Sequence, residues 1–356
     1  MCIRDSYIGG VCFLGACVWP FIGRGFNRPY LGAFIGLLWF FMPNNLCAIF
    51  IEGNLARSLS MIFLPVFIYS VYKYLYNHKL RYIPFMVFTF LLMELCHLGY
   101  AGMVAIAVII YGIVYIIQKG RKKAVLDVVI SMIFGFMLLG IWLVASLRGG
   151  ITSLDNSENM ANFFQNLWIT INPFERLTRG FEYFYFGFAA LVVIVFGILF
   201  GYKKSRTGFV TGFIILLMTT KSAYAVLKHL PGSQYLWMLR FISIALCMIL
   251  MSFLMWDRLK KTLVLMLCVL LVVDTIPSLS LIVGEHNDIS VQERMAARQD
   301  STLISSAQAV TKQRLALMDE SILGATGSWL VSDYGNPVDA TFGAGREAAN
   351  TSANIV

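Results

Sequence analysis

Apolar runs separated by short polar loops make up most of the first 283 positions of the chain. They lie at 7–22, 30–51, 57–75, 82–97, 100–118, 125–147, 183–201, 208–226, 237–256 and 262–283. A transmembrane helix needs roughly 20 consecutive apolar residues, and these runs leave only short polar loops between them. The pattern predicts an all-α polytopic membrane bundle over 7–284 that crosses a bilayer about ten times.

Basic residues fall in alternate loops of this pattern. The five basic loops contain Arg24 and Arg28; Lys73, Lys79 and Arg81; Lys119, Arg121, Lys122 and Lys123; Lys203, Lys204 and Arg206; Arg258, Lys260 and Lys261. Cytoplasmic loops of membrane proteins are enriched in Lys and Arg, so these loops are predicted to be cytoplasmic. The loops near 52–56, 97–100, 148–182 and 227–236, and everything after 284, are then predicted to lie outside.

The outer loop 148–182 contains a helical pattern near 157–171. Its apolar positions share one helical face: Met160, Phe163, Phe164, Leu167, Trp168 and Ile171. Its other face carries uncharged polar side chains, which is typical of a helix that lies in the outer membrane interface. A helix packed on a soluble domain remains the alternative.

Residues 285–356 are polar and contain no run long enough to cross a membrane. A helix near 289–310, followed by strand-like stretches at 314–318 and 328–331, predicts the start of an extracytoplasmic soluble α/β domain that is cut short. Residues 1–6 lead directly into an apolar run and are interpreted as a leader that is not native to the protein. The predicted location is the cell (plasma) membrane, with the C-terminal segment outside.

Composition indicates that lipid is the main solvent of the chain. It is 58% hydrophobic and only 13% charged, with a mean hydropathy of +0.74, whereas soluble domains carry about 25% charged residues. The net charge of +9 comes mostly from the loop lysines and arginines, so it indicates topology and no nucleic-acid partner. Most cysteines lie in apolar runs, which is neither a disulfide framework nor a spaced metal site.

Ionisable residues at the edge of a membrane span are costly, so each is a candidate for a functional site. At the predicted outer boundary these are Glu52, Arg57, Glu94, His97, Lys221 and Arg240. The basic residues lie on the side where positive charge is disfavoured, so a negative group should offset them. Acidic partners such as Glu52 and Glu94 would do so, and a lipid-borne phosphate clamped by Arg and Lys would do so equally.

Three of these positions allow a closer interpretation. His97 follows Glu94 by three residues, so the carboxylate is predicted to orient an imidazole that serves as a general base, a ligand or a helix cap. Arg240 stands one helical turn after Trp237 and is either an interfacial anchor or a phosphate ligand. Asp274 is predicted near mid-depth in the last span. No second His or Cys stands at ligand spacing, so no cofactor is identified and the residues present do not support a divalent metal.

Several short segments resemble one family of prokaryotic membrane proteins. They are Phe50-Ile-Glu-Gly-Asn-Leu-Ala-Arg57, His97-Leu-Gly-Tyr100, the stretch from Leu230 to Phe241, and the predicted strand from Arg314 to Asp319. The family is labelled as related to pyruvoyl-tetrahydropterin synthase, and it resembles the YfhO-like proteins and the wider GT-C glycosyltransferases. The resemblance runs over nearly the whole chain, but this sequence supports no pterin chemistry.

The GT-C resemblance implies transfer of a sugar from a polyprenyl-phosphate donor on the outer face, in cell-surface glycan assembly. It also implies an acidic catalytic residue in a loop that would precede residue 7, so no catalytic residue is assigned. The substrate-binding candidates are Glu52, Asn54, Arg57, Glu94, His97, Lys221 and Arg240. The expected partners are the lipid bilayer and the polyprenyl-phosphate donor. A non-catalytic scaffold or regulator of surface-polymer assembly, or a lipid or solute transporter, are the alternatives.

Overall fold

Helices account for every regular element that the structure describes. A computed structural model describes residues 3–50, 54–140, 144, 164, 166–172, 185–230, 233, 236–256, 259–283, 305 and 308–309. The helices are α1 (Ile3–Gly25), α2 (Pro29–Trp39), α3 (Pro43–Phe50), α4 (Leu55–Asn77), α5 (Tyr82–Lys119), α6 (Lys122–Leu138), α7 (Leu167–Ile171), α8 (Phe188–Phe200), α9 (Lys203–Met218), α10 (Lys221–Leu227), α11 (Phe241–Met255) and α12 (Lys261–Val283), with a 3-10 turn at Met238–Arg240.

Five helical stretches are long and apolar enough to cross a membrane. They are Ser6–Gly25, Leu55–Asn77, Tyr82–Lys119, Met238–Met255 and Lys261–Ser278. Large apolar side chains such as Phe88, Ile117 and Leu199 are exposed on the outer faces of the bundle, where lipid would cover them. Over the residues that the structure describes, the chain is an all-α membrane protein.

The helices just given belong to one compact unit, Met1–Leu139 with Asn156–Val283. The second unit, Gly140–Asp155 with Gly284–Val356, lies almost entirely outside the described residues. The predicted C-terminal strands belong to this second unit. Glu52 and most of the outer loop 148–182 also lie outside the described residues.

α1 and α2 form a hairpin in which the two backbones touch. Gly32 and Gly36 lie one turn apart on α2 and face α1. A Cβ atom built on Gly32 would lie 2.5 Å from the carbonyl oxygen of Trp19 and 2.9 Å from the Cα atom of Gly23. Small residues four apart commonly allow close helix packing in membranes. This Gly-x-x-x-Gly pattern lies within the apolar run 30–51, and the sequence analysis did not identify it.

α5 reverses its direction at His97, so it contains two antiparallel segments. His97 has φ −157° and ψ 92°, which is not helical. The His97 ring contacts Asn54 at the start of α4. The rings of Tyr82 and Tyr69 lie 6.3 Å apart, and the Tyr115 hydroxyl donates to the Leu75 carbonyl at 2.6 Å. Both ends of α5 thus lie beside the C-terminal half of α4, as the separate predicted runs 82–97 and 100–118 require.

α11 is the innermost helix of this unit. Every residue from Phe241 to Leu254 is buried. The Tyr72 hydroxyl on α4 donates to the Met248 carbonyl at 3.4 Å, and the Phe209 ring on α9 packs edge-on against Trp256, just after α11, at 5.8 Å. From Phe241 to Leu254, α11 therefore has no exposed face and is enclosed by the helices before and after it.

Two predicted spans are interrupted, and both breaks have a physical cause. The run 30–51 divides into α2 and α3 because Pro43 lacks the amide hydrogen that a continuing helix needs. The run 208–226 divides at Thr219 and Thr220, whose hydroxyls donate to the carbonyls of Leu216 and Leu217 at 2.7 Å. Such local side-chain bonds compete with the helix ladder. Lys221 therefore begins a separate short helix and does not lie within the eighth span.

The predicted interfacial helix is described only at Phe164 and from 166 onwards. In α7, Leu167 and Trp168 are 44% and 65% exposed, while Thr170 on the polar side is buried. The Thr170 carbonyl accepts the amide hydrogens of Phe186 and Gly187. The polar side of α7 thus faces the bundle, but Phe164 departs from the exposed stripe and packs against Tyr224 at 5.1 Å.

Candidate functional site

Asn54 begins α4 with a side-chain cap. Its amide oxygen accepts the backbone hydrogen of Arg57 at 2.9 Å, and its carbonyl accepts from the Ser58 hydroxyl at 3.0 Å. Asparagine is a preferred residue for this role because it satisfies an amide group that has no partner within the helix. The candidate Asn54 therefore fixes where α4 starts.

His97 begins the second segment of α5 in the same way. Its Nδ1 atom accepts the backbone hydrogen of Tyr100 at 3.1 Å, three residues on, as a capping side chain does. Its Nε2 atom lies 3.1 Å from the side-chain nitrogen of Asn54. Of the roles predicted for His97, its described contacts correspond to a helix cap. The His97 ring also connects the start of α4 with the start of the second segment of α5.

The side chain of Asn54 cannot satisfy both of its neighbours. Because Nδ1 of His97 accepts a hydrogen, the neutral ring carries its own hydrogen on Nε2, and this hydrogen faces the NH₂ group of Asn54. The only acceptor on the Asn54 side chain is its amide oxygen, and that oxygen already accepts from the Arg57 amide. Turning the amide round would satisfy His97 and leave the Arg57 amide facing an NH₂ group.

Asn54→Asp is therefore expected to stabilise the protein by about 1 kcal/mol, because a carboxylate offers one oxygen to each neighbour and favours a helix N-terminus. Asn54→Ala should instead lose about 1 kcal/mol with the cap. Thermal unfolding of both variants in one detergent measures the difference. An aspartate variant as unstable as the alanine variant would contradict the proposed hydrogen-bond conflict.

Arg57 lies one turn into α4 and is completely buried. Its Nη2 atom donates to the backbone carbonyl of Asn44 at 3.0 Å and to the side-chain oxygen of Asn44 at 2.8 Å. Its guanidinium also lies 5.8 Å from the ring centre of Tyr100. Asn44 in turn donates to the Leu239 carbonyl at 3.0 Å. Arg57 therefore connects α3, α4 and the second segment of α5 within the bundle.

A second set of contacts runs from Tyr100 to Arg240. The Tyr100 hydroxyl lies 2.7 Å from the Ser243 hydroxyl, which donates to the Arg240 carbonyl at 2.9 Å. The Arg240 guanidinium lies 4.1 Å from the ring centre of Trp237, and its side chain is partly exposed. Arg240 ends the 3-10 turn that leads into α11. The predicted closeness of Trp237 and Arg240 is thus present.

These contacts join residues from five elements into one polar cluster at one end of the bundle. We call this set of residues the polar cluster. Its members are Asn44, Asn54, Arg57, His97, Tyr100, Ser243 and Arg240. Four of the predicted candidates belong to it. The sequence analysis missed Asn44 and Ser243, because an uncharged amide or hydroxyl in an apolar run is not recognisable as a partner until its neighbour is known.

The other candidates lie apart from the described contacts of the polar cluster. Glu94 is 2% exposed, and its Oε2 atom has no hydrogen-bond partner among the described residues. The break at His97 changes the predicted arrangement, because Asn54 and the Tyr100 amide orient the ring instead of Glu94. Lys221 is exposed at the start of α10, and Glu52 lies outside the described residues.

Asp274 has a structural role within the bundle. Its Oδ2 atom accepts the amide hydrogens of Ala189 at 2.6 Å and Ala190 at 3.4 Å, in the first turn of α8. Gly187, with φ +88°, brings the backbone against this carboxylate, where a Cβ atom would collide with it. A helix N-terminus offsets a negative charge, so the mid-depth aspartate predicted from the sequence is a cap of α8.

The polar cluster has the chemistry of an anion site. Three helical segments begin beside it, at Asn54, His97 and Arg240, and helix N-termini carry partial positive charge. Arg240 adds a guanidinium, whose planar set of donors matches a phosphate group. Within the described ranges, no three His, Cys, Asp or Glu side chains are grouped so that they would hold a metal ion.

Comparison with protein-family models gives a match over most of the chain. A family model described as "6-pyruvoyl-tetrahydropterin synthase related domain; membrane protein" matches residues 5–282, which is well over half of the chain. No curated protein and no solved structure matches the chain.

Proposed function

Because the chain belongs to the 6-pyruvoyl-tetrahydropterin synthase related family of membrane proteins, as its motifs suggested, we propose that it binds a polyprenyl-phosphate-linked sugar on the outer face of the membrane. In this proposal it acts as a GT-C-like glycosyltransferase in cell-surface glycan assembly. The protein would cross the plasma membrane about ten times, with residues after 284 forming an extracytoplasmic α/β domain.

The distribution of basic loops supports this orientation. The Tyr76 hydroxyl at the end of α4 donates to the Lys204 carbonyl at 2.8 Å, and Tyr74 donates to Asp127 near the start of α6 at 2.6 Å. The basic loops around Lys79, Arg121 and Lys204 therefore meet at one end of the bundle, opposite the polar cluster. By the positive-inside rule that end is cytoplasmic, and the polar cluster is then on the outer side.

The observation that carries the proposal is the convergence of three helix starts and Arg240 at the outer end. A lipid-borne phosphate placed there would meet partial positive charge from the helices and paired donors from the guanidinium. The same groups would stabilise the negative charge on the departing lipid phosphate during sugar transfer. A carboxylate would activate the acceptor hydroxyl, and none of the residues of the polar cluster is assigned that role.

One observation favours the alternative of a non-catalytic scaffold. Arg57 is fully buried and donates twice to Asn44, so its charge serves packing between helices rather than a ligand at the surface. In a scaffold, Arg240 would be an interfacial anchor that rests on Trp237. The two functions differ in what they require of Arg240.

Arg240→Lys is expected to weaken binding of a polyprenyl phosphate by about 1–3 kcal/mol, because lysine keeps the charge but loses the paired donors. The measurement is titration of purified protein in detergent with a short-chain polyprenyl phosphate. Arg81→Lys is the matched control, since Arg81 also rests on an aromatic ring, 5.1 Å from the centre of Tyr82, at the opposite end. Equal affinities for all three proteins would remove the support for a phosphate site and leave the scaffold.

A further inference from the structure

A second polar site lies at the end of the bundle that carries the basic loops. It is a cavity of 420 Å³ between the turn joining α1 and α2, the last turn of α4 and the first turn of α9. Met255, the last residue of α11, also lines it, whereas the polar cluster lies beside the first turn of that helix. The volume falls in the range of small-molecule pockets, roughly 300–1,000 Å³. We refer to it as the α4–α9 cavity.

The described side chains that line the α4–α9 cavity are basic or neutral. Arg28, Lys73 and Lys204 line it together with the amides of Asn27 and Asn77, and none of its described lining residues is acidic. Lys73 and Lys204 share this small volume, and their like charges repel each other unless an anion lies between them. The charge and the hydrogen-bond donors of this cavity therefore suit an anion.

Lys73 is held at the wall of the α4–α9 cavity in a fixed position. Its Nζ atom donates to the Gly25 carbonyl at the end of α1 and lies 4.4 Å from the ring centre of Phe26. An ammonium group has three donors, so this single carbonyl leaves donors for a ligand. Such placement orients the charge in advance, which lowers the entropic cost of binding.

Two structural explanations account for part of this arrangement only. A lysine near the C-terminal end of α1 stabilises its last carbonyls, which explains Lys73 but not Lys204 on another helix. The positive-inside rule explains why Lys and Arg occur at this end of the bundle, but it places no requirement on how they are arranged. Their convergence on one cavity needs a further reason.

We infer that the α4–α9 cavity binds a phosphate-bearing anion. The phosphate belongs either to the headgroup of an anionic phospholipid in the adjacent leaflet or to a small soluble phosphate compound. Basic pockets between transmembrane helices on the cytoplasmic side are known to take anionic headgroups, and Lys and Arg are the usual phosphate ligands. This site is separate from the sugar-donor site proposed at the other end.

A neighbouring cavity supplies a matched control. It has a volume of 670 Å³ and is lined by His78, Arg121, Lys122, Lys123 and Asp127 among others. Its basic residues lie at the same end of the bundle, but an acidic side chain is present among them. Lys123→Gln therefore removes one charge from the same end without changing the α4–α9 cavity.

The test compares phospholipid binding by purified variants of this chain in a neutral detergent. Lys204→Gln removes a charge from the cavity lining, and Asn77→Asp adds a negative charge to it; both side chains are exposed, so the fold should be kept. Each change is expected to weaken the affinity for short-chain phosphatidylglycerol at least about tenfold. Lys123→Gln should leave it within about twofold, and equal unfolding temperatures show that the variants are folded.

Inorganic phosphate and phosphatidylcholine complete the experiment. Competition by millimolar inorganic phosphate would assign the site to a soluble phosphate compound, and phosphatidylglycerol binding without such competition would assign it to a lipid headgroup. Equal weakening by all three substitutions would show that general surface charge attracts the lipid, and the inference would be wrong. Wild-type protein that binds neither probe, or that binds phosphatidylcholine as tightly, would overturn it as well.

Discussion

Gly32→Leu is expected to destabilise the protein by about 3 kcal/mol or more, at the upper end of what overpacking costs. The Cβ atom would lie 2.5 Å from a backbone carbonyl of α1 and 2.9 Å from the Cα atom of Gly23. Neither contact can be relieved by turning a side chain, so α1 and α2 must separate. Helix contacts in lipid depend on close packing, and the separation of α1 from α2 removes that packing. Thermal unfolding in detergent and the yield of folded protein measure the loss.

Gly102→Leu is the matched control for this prediction. Gly102 lies on an exposed face of α5, and nothing lies within 4 Å of a Cβ atom built there. Leucine also favours a helix over glycine by up to about 1 kcal/mol. The control variant should be at least as stable as the wild type. Similar losses at both positions would mean that the contact between α1 and α2 is not as close as described.

Arg57→Met is expected to cost about 3 kcal/mol, because two oxygens of Asn44 lose their charged donor while they remain buried. Methionine fills much of the same space, so the loss reports hydrogen bonding and not a cavity. The free energy of unfolding in denaturant measures it. Arg81→Met, at an exposed position, should change stability by less than about 0.5 kcal/mol.

The double variant Arg57→Met with Asn44→Leu separates two explanations of that loss. Replacing both partners of a buried polar contact by apolar residues is often close to neutral. The double variant should therefore recover part of the stability, although the bond from Asn44 to the Leu239 carbonyl is lost as well. A loss in the double variant equal to the sum of the two single losses would mean that Arg57 and Asn44 do not stabilise each other.

The sequence predicted the membrane bundle well because its signals are local. Apolar runs and loop charges are properties of short segments, and α4, α11 and α12 lie close to the runs 57–75, 237–256 and 262–283. The break near His97 was also predicted. Positions where two local effects compete were less predictable. Pro43 and the pair Thr219 and Thr220 lie within runs that are apolar enough to span a membrane. Local hydrogen bonding divides these runs, because Pro43 lacks an amide hydrogen and the threonine hydroxyls bond to backbone carbonyls.

The candidate site was predictable as a set of charges but not as a set of contacts. Arg57, His97 and Arg240 were named from their cost at a membrane edge, and Asn54 was named beside them as a substrate-binding candidate. All four belong to the polar cluster. Their partners depend on how distant segments meet, as in the hydrogen bond from Asn44 to Leu239, 195 positions apart. Asp274 was also predicted as a costly charge, but it does not belong to the polar cluster. Its carboxylate accepts amide hydrogens at the start of α8 and caps that helix.

The complete enclosure of α11 constrains the order in which the protein assembles during synthesis. The hydroxyls of Tyr72 on α4 and Tyr100 on α5 contact partners on α11, and α11 is made more than 140 positions after Tyr100. Until α11 is made, these two contacts cannot form and the bundle is incomplete. Helices in membranes insert first and associate afterwards, so α11 has to enter between segments that are already in place. The earlier helices must therefore remain loosely associated until the ribosome has passed residue 255.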